Sequence, residues 1–418
     1  MSWRWLKPGL RIKRWVLILC CGIILVVLGA IILGLALFNP HGMDSGGIRP
    51  NLYGIGITFI ACGAVAVFTA VYRLVRNVEK LLRRSDETRG LTDLAWTRVQ
   101  REAGARVVCL GGGTGLSTLL YGLKTHPVDI TAVVSVADDG GSSGRLRKDF
   151  DILPPGDIRN CVVALADAGP RMRELMQYRF AEGEFEGHSF GNLFIMVLAQ
   201  ICGDFGTAVM EINSLLSVRG RVLPVSLERV SLVATHPDGS KTTGQRSIAT
   251  CGKPIERLEQ KPPNGRPPRD VLGAIEAADL IVLGPGSLYT SVLPNLLEPE
   301  VAAAVARSSA VKIFLVNTMT QPGETDGFTV SRHYEVLRAH APDVVPDALL
   351  VNSYRPTDAQ LAAVAESGIA LTAFDREAMS GYTVPVYLRD VIDREHPMRH
   401  DPEKLGRAVM EIYRQIRG

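Results

Sequence analysis

Two apolar runs near the start of the chain limit its fold more than any other feature. They are Trp15–Phe38, "WVLILCCGIILVVLGAIILGLALF", and Leu52–Tyr72, "LYGIGITFIACGAVAVFTAVY", and neither holds an acid or a base. About 20 such residues in a helix cross ~30 Å of hydrocarbon. A signal peptide has a shorter apolar region and a small-residue cleavage site, and it calls for no second run. The rival, a buried core hairpin, rarely carries two runs this long without an ionisable group. The expectation is a membrane hairpin over residues 1–72, with spans 15–38 and 52–72.

The flanks set the orientation. Arg4, Lys7, Arg11, Lys13 and Arg14 precede the first run, and Arg73, Arg76, Lys80, Arg83 and Arg84 follow the second. The loop between them has Arg49 as its one strong base. By the positive-inside rule both termini are expected in the cytoplasm. Residues 73–104, with "YRLVRNVEKLLRR", read as an amphipathic juxtamembrane helical linker. Its basic face suits anionic headgroups, or it is a solvated linker. The rest, 105–418, is then a cytoplasmic domain. The net charge of +3 is spread along the chain with no basic stripe interleaved with aromatics, which argues against a nucleic-acid partner. Cys109, Cys161, Cys202 and Cys251 show no C-x-x-C pairing and read as small buried residues in a reducing compartment.

From Arg106 onward, short apolar β-branched runs alternate with helical stretches. "RVVCL", "ITAVVSV", "DLIVLG", "VKIFLVN" and "DALLVN" are the expected strands. Such a pattern predicts an α/β fold whose parallel sheet is covered on both faces. Residues 221–260 alternate more tightly around a "PDG" turn and read as a small antiparallel β insertion.

Ligands in open α/β sheets bind beyond the carboxyl ends of the strands. After the first strand comes "GGGTGLS", with Gly111, Gly112, Gly113, Thr114 and Gly115 opening a helix. Bare backbone amides and a helix N-terminus suit a phosphate. The stretch is neither a Walker A loop nor a complete G-x-G-x-x-G, since Leu116 takes the last glycine position. A tight turn under close packing is the plainer reading.

After the second strand, "VADDGGSSGRLR" supplies Asp138, Asp139, Ser142, Ser143 and Arg145. One aspartate is expected to face the pocket, on a ribose hydroxyl or a divalent cation, and the other to cap the next turn. "GGSSG" reads as a mobile loop. "PPGDIRN" places Asp157 as a helix N-cap, with Arg159 and Asn160 in the first turn. "GHSFGN" offers His188 and Asn192 around a capping Ser189. "LGPGSLYTSVLPNLL" repeats the strand–glycine–helix arrangement with Gly284, Gly286, Ser287, Thr290 and Ser291, and "NTMTQPGETDGF" adds Asn317, Thr318, Thr320, Glu324 and Asp326. Two glycine turns at two strand ends are expected to flank one crevice and share a diphosphate. No motif identifies a nucleophile.

Taken in order, these motifs closely resemble the YvcK-type gluconeogenesis factors, a branch of the superfamily that contains 2-phospho-L-lactate transferase. The resemblance implies a Rossmann-like, doubly wound, mostly parallel sheet. It implies binding of a UDP-sugar, UDP-N-acetylglucosamine or UDP-glucose, and a role in cell-wall precursor metabolism and cell shape. No catalytic activity is established in that branch. In the transferase branch an acid after the second strand belongs to the active site, which makes Asp138 and Asp139 the catalytic candidates and Asp139 the candidate Mg²⁺ ligand. The two spans depart from the soluble members. Other expected partners are the membrane, a cell-wall-precursor enzyme and further copies in a homo-oligomer. The alternatives are a Mg²⁺-dependent transferase acting on a nucleotide-diphosphate-linked substrate and a dinucleotide-dependent oxidoreductase, against which Leu116 weighs.

Overall fold

The structure is a computed structural model that describes residues 12–38, 48–82, 104–263, 265–396 and 398–418. It forms two compact units, Met1–Trp96 and Thr97–Gly418.

In the first unit, the helices Ile12–Phe38 and Ile48–Leu82 pack side by side. Their segments Trp15–Leu37 and Leu52–Arg73 are long and apolar enough to cross a membrane. Glycines allow a close backbone approach, as they do between helices in lipid. A Cβ added at Gly63 would lie 2.7 Å from the Gly22 carbonyl, and one at Gly29 would lie 2.7 Å from the Gly56 carbonyl. The second helix runs on to Leu82, so the span and the start of the expected juxtamembrane helix are one element. The remainder of that linker, 83–103, lies outside the described residues.

The second unit is built on seven parallel strands: β1 Ala105–Gly111, β2 Val128–Val134, β3 Arg221–Pro224, and, after the insertion, β7 Leu280–Leu283, β8 Val311–Leu315, β9 Ala348–Asn352 and β10 Val386–Arg389. Their order is β10-β9-β8-β7-β1-β2-β3. All the pairings are parallel, with Leu110 level with both Val133 and Leu283. The central strands are apolar at nearly every position because helices cover both faces. The chain winds outward from β1 to β3, then returns to the other side of β1 and winds outward again. The border between β1 and β7 is therefore the topological switch point.

The helix Gly113–Leu123 follows β1 and packs on the C-terminal helix Pro402–Arg417. The contact is backbone to backbone: a Cβ at Gly122 would sit 1.9 Å from the Pro402 carbonyl oxygen.

The antiparallel insertion has narrower bounds than its sequence suggests. Arg221–Pro224 joins the main sheet beside β2, where its apolar Val222 and Leu223 are buried. The small sheet comprises β4 Ser231–Thr235, β5 Lys241–Thr243 and β6 Arg257–Lys261 in the order β5-β4-β6, with a short helix, Gln245–Thr250, between β5 and β6. A second correction concerns "GGSSG". It is no mobile loop but the first turn of the helix Gly141–Asp149, with Ser142 and Ser143 buried against the neighbouring motifs.

Candidate functional site

The two glycine turns meet at the switch point. The Gly284 amide donates to the Leu110 carbonyl, 2.8 Å, which brings the end of β7 level with that of β1. Gly113 has φ +64°, and Gly284 and Gly286 have φ +88° and +151°, conformations that side-chain-bearing residues rarely adopt. The turns touch directly: a Cβ at Gly115 would lie 2.7 Å from the Pro285 carbonyl oxygen. Asn295 holds them from below, donating through Nδ2 to the carbonyls of Gly111 and Ser291 at 3.1 and 2.8 Å.

Above this junction lies a crevice of about 410 Å³. Gly112, Gly113, Thr114 and Gly115 form one wall, and Pro285, Gly286, Ser287 and Ser291 the other. Residues 317–321, with Asn317 and Thr320 among them, close a third side, and Ile369, Met398 and His400 complete the lining. Desolvation pushes the His400 imidazole down to about 4, so it is neutral at pH 7.

A buried carboxylate backs the second turn. Glu324 accepts hydrogen bonds from the hydroxyls of Ser287 and Thr290, and burial raises its pKa above the usual carboxylate range. Ser287 also caps the helical turn Leu288–Val292. The first turn has a carboxylate of its own. Asp157 lies against the turn: a Cβ added at Gly112 would sit 2.7 Å from its Oδ2 and one at Gly113 3.7 Å from its Oδ1. Desolvation, followed by the nearby charge of Asp138, pushes its pKa up to about 7. Asp157 is not the N-cap expected from the sequence; that position is Pro155, and Asp157 lies inside the first turn of Gly156–Leu165, aimed at the glycines.

The motif residues outside the crevice form an adjoining network. Asp138 accepts from the Gly140 amide at 2.9 Å, and burial raises its pKa. Asp139 faces elsewhere and accepts from the Arg246 amide at 2.8 Å, tying the turn to the insertion helix. Ser143 lies beside Asp138 and lowers its pKa by hydrogen bonding. Ser142 meets His188 Nδ1 at 3.0 Å and accepts from Asn192 Nδ2 at 3.1 Å. Arg159 donates to Ser189, Asn192 and Asn160. Arg145 donates to the Glu186 carbonyl at 2.8 Å, so its guanidinium holds a hairpin rather than the crevice. Ser189 caps its helix as expected, accepting from the Asn192 amide.

The crevice thus gathers Gly112, Gly113, Thr114, Gly115, Gly286, Ser287, Ser291, Asn317 and Thr320, with Gly111, Gly284 and Thr290 directly behind. Asp138, Asp139, Ser142, Ser143, Arg145, Arg159, Asn160, His188 and Asn192 stand outside its lining, and Asp157 links the two sets. Among the described residues, no three acids, histidines or cysteines group as a metal cage. Sequence reasoning missed Met398 and His400, which arrive from a C-terminal segment without a motif. It noted Glu324 without giving it a role, although an acid after a strand end was the available signal.

Comparison with known proteins fits this geometry. A family model described as 2-phospho-L-lactate transferase CofD matches residues 107–392. The gluconeogenesis factor of Bacillus subtilis strain 168 is 41% identical over 312 residues, covering 74% of this chain and 98% of that protein. That of Halalkalibacterium halodurans is 45% identical over 309 residues, 73% and 95% of the two chains. A relative from Nostoc sp. PCC 7120 is 42% identical over 422 residues, 98% of this chain and 92% of its own. The crystal structure of a UPF0052 family member from Bacillus halodurans superposes with TM-score 0.72 at 44% identity, covering 73% of this chain and 99% of that one.

Proposed function

We propose, from the premise that this chain belongs to the CofD family and within it to the gluconeogenesis factors, that its α/β unit is a receptor for a UDP-sugar. The observation that carries the reading is the meeting of two glycine turns at the switch point, which line facing walls of one crevice. A diphosphate matches that arrangement, because amides and helix N-termini bind anions without a basic side chain. In this reading Gly112–Gly115 and Gly284–Ser287 hold the phosphates. The protein reports nucleotide-sugar supply to cell-wall precursor metabolism, and through it to cell shape. By the positive-inside rule the hairpin leaves both termini in the cytoplasm, where such ligands are made. The test is calorimetry with UDP-N-acetylglucosamine and UDP-glucose on the full chain in nanodiscs. Gly113→Asp, which brings negative charge into the anion site, should abolish binding; unchanged affinity would refute the placement.

A second reading, a Mg²⁺-dependent transferase, draws on the carboxyl pair Asp138 and Asp157 beside the Gly113 amide. Mg²⁺ is commonly held by one or two carboxylates together with substrate phosphates, and these two fit that role better than Asp139, whose carboxylate is engaged with Arg246. The ion would neutralise developing phosphate charge. Slow, Mg²⁺-dependent turnover of a nucleotide-diphosphate-linked substrate would favour it.

A further inference from the structure

We propose that the end of the helical hairpin marked by Trp15 and Arg73 is a binding site for anionic phospholipid headgroups. The inference rests on the candidate spans crossing a bilayer, and it is independent of the side on which each terminus lies. The Arg73 guanidinium lies over the Trp15 ring, 5.6 Å from its centroid. The start of the first span and the end of the second therefore reach one level. Towards their other ends, the Tyr53 hydroxyl donates to the Ala36 carbonyl at 3.1 Å. The glycine contacts between the helices hold the pair in this register. An aromatic and a basic side chain at the end of a span belong to the boundary between hydrocarbon and headgroups.

Bases gather at that boundary from both helices. Lys13 and Arg14 immediately precede Trp15 on the first. The second continues past Arg73 to Leu82 and carries Arg76 and Lys80. Positions 73, 76 and 80 are spaced three and four apart, the repeat of one helical face. At 1.5 Å per residue, Lys80 stands about 10 Å beyond Arg73 along the axis, within about one Debye length of the boundary. Glu79 is the one acid among residues 12–15 and 73–82. The loop 39–51, at the other end of the spans, balances Arg49 with Asp44. The charge asymmetry therefore lies along the hairpin, at the level where headgroups begin. A cluster of bases beside a span attracts anionic lipid, and each base adds to the attraction. A zwitterionic headgroup brings no net charge to meet it.

The test uses the full chain with Trp3→Phe, Trp5→Phe and Trp96→Phe, which leave Trp15 as the single tryptophan. It is reconstituted in vesicles of equal parts phosphatidylglycerol and phosphatidylcholine. One lipid or the other carries bromine near the carboxyl end of its acyl chains, where it quenches tryptophan on contact. Quenching should be stronger with brominated phosphatidylglycerol, by a relative binding constant of at least two, and should approach equality in molar salt. Arg76→Gln together with Lys80→Gln should lower the preference by at least half. Arg49→Gln, at the other end of the spans, should leave it unchanged. Circular dichroism establishes that each variant is folded. Equal quenching by the two lipids, a preference that survives Arg76→Gln with Lys80→Gln, or an equal loss in Arg49→Gln would each overturn the proposal. Quenching by neither lipid would overturn it through its premise, since Trp15 would then not lie at a bilayer boundary.

Discussion

Asp157 packs against Gly112 so closely that a Cβ added there would sit 2.7 Å from its Oδ2, so a titratable carboxyl lies directly against the first glycine turn. An anionic ligand on that turn and an ionised Asp157 oppose each other. UDP-sugar affinity should therefore rise several-fold between pH 8 and pH 6, as Asp157, with its pKa near about 7, takes up a proton. Calorimetry across that range checks this, and Asp157→Asn should flatten the profile.

The same group links stability to pH. Its folded pKa is raised from 3.8 to about 7, so the native state binds more protons than the unfolded state within that window. Its favourable contribution is complete below pH 3.8 and is lost as pH rises through about 7. Asp157→Asn keeps the shape of the side chain without the ionisation cost. Calorimetric melting should give the variant a larger Tm advantage at pH 8 than at pH 5, by roughly 2–4 °C for each kcal/mol.

Gly115→Ala should part the two turns, because the added Cβ would lie 2.7 Å from the Pro285 carbonyl and 3.0 Å from Gly286 Cα. Overpacking of this kind costs about 1–3 kcal/mol. We expect UDP-sugar binding to fall at least tenfold while the protein remains folded, as read by calorimetry and circular dichroism.

Glu324→Ala would remove the buried carboxylate that accepts from Ser287 on the crevice wall and from the buried Thr290, leaving these hydroxyls only each other as partners. An orphaned buried donor costs about 1–3 kcal/mol. Denaturant unfolding should register a loss of that order. Glu324→Gln, which keeps one acceptor, should lose less.

Gly122→Leu should detach the C-terminal helix, since even a Cβ there would sit 1.9 Å from the Pro402 oxygen. A destabilisation above 4 kcal/mol in chemical unfolding is expected. A neutral outcome would mean that the two helices do not approach backbone to backbone.

The strands and their glycine ends were readable because a buried parallel strand is a short apolar run and an anion turn must lack side chains. Gly111–Gly115 and Gly284–Ser287 are glycine-rich turns at the ends of such runs, so their convergence could be inferred before any coordinates. The fate of Asp157 could not. Helix-capping rules assign an aspartate at a helix start to its own backbone, whereas here the acid lies against Gly112, remote in sequence. Arg145 likewise looks like a phosphate ligand until the Glu186 carbonyl is seen to hold it. Arg221–Pro224 was misassigned because a run of four residues is too short to show a period, and its pairing depends on distant Val134 and its neighbours. The Gly22–Gly63 and Gly29–Gly56 contacts had a visible signal, glycines at matched intervals in two apolar helices, that was not read as a pair of seams.

The strand order has one more consequence. β1 and β7 are adjacent in space but far apart along the chain, and each contributes one lip of the crevice. A molecule that grips both lips staples the early and late parts of the polypeptide together, and mass action then makes its abundance a guard against their separation. When that metabolite runs low, the seam between the strands should be the first place a protease finds an opening.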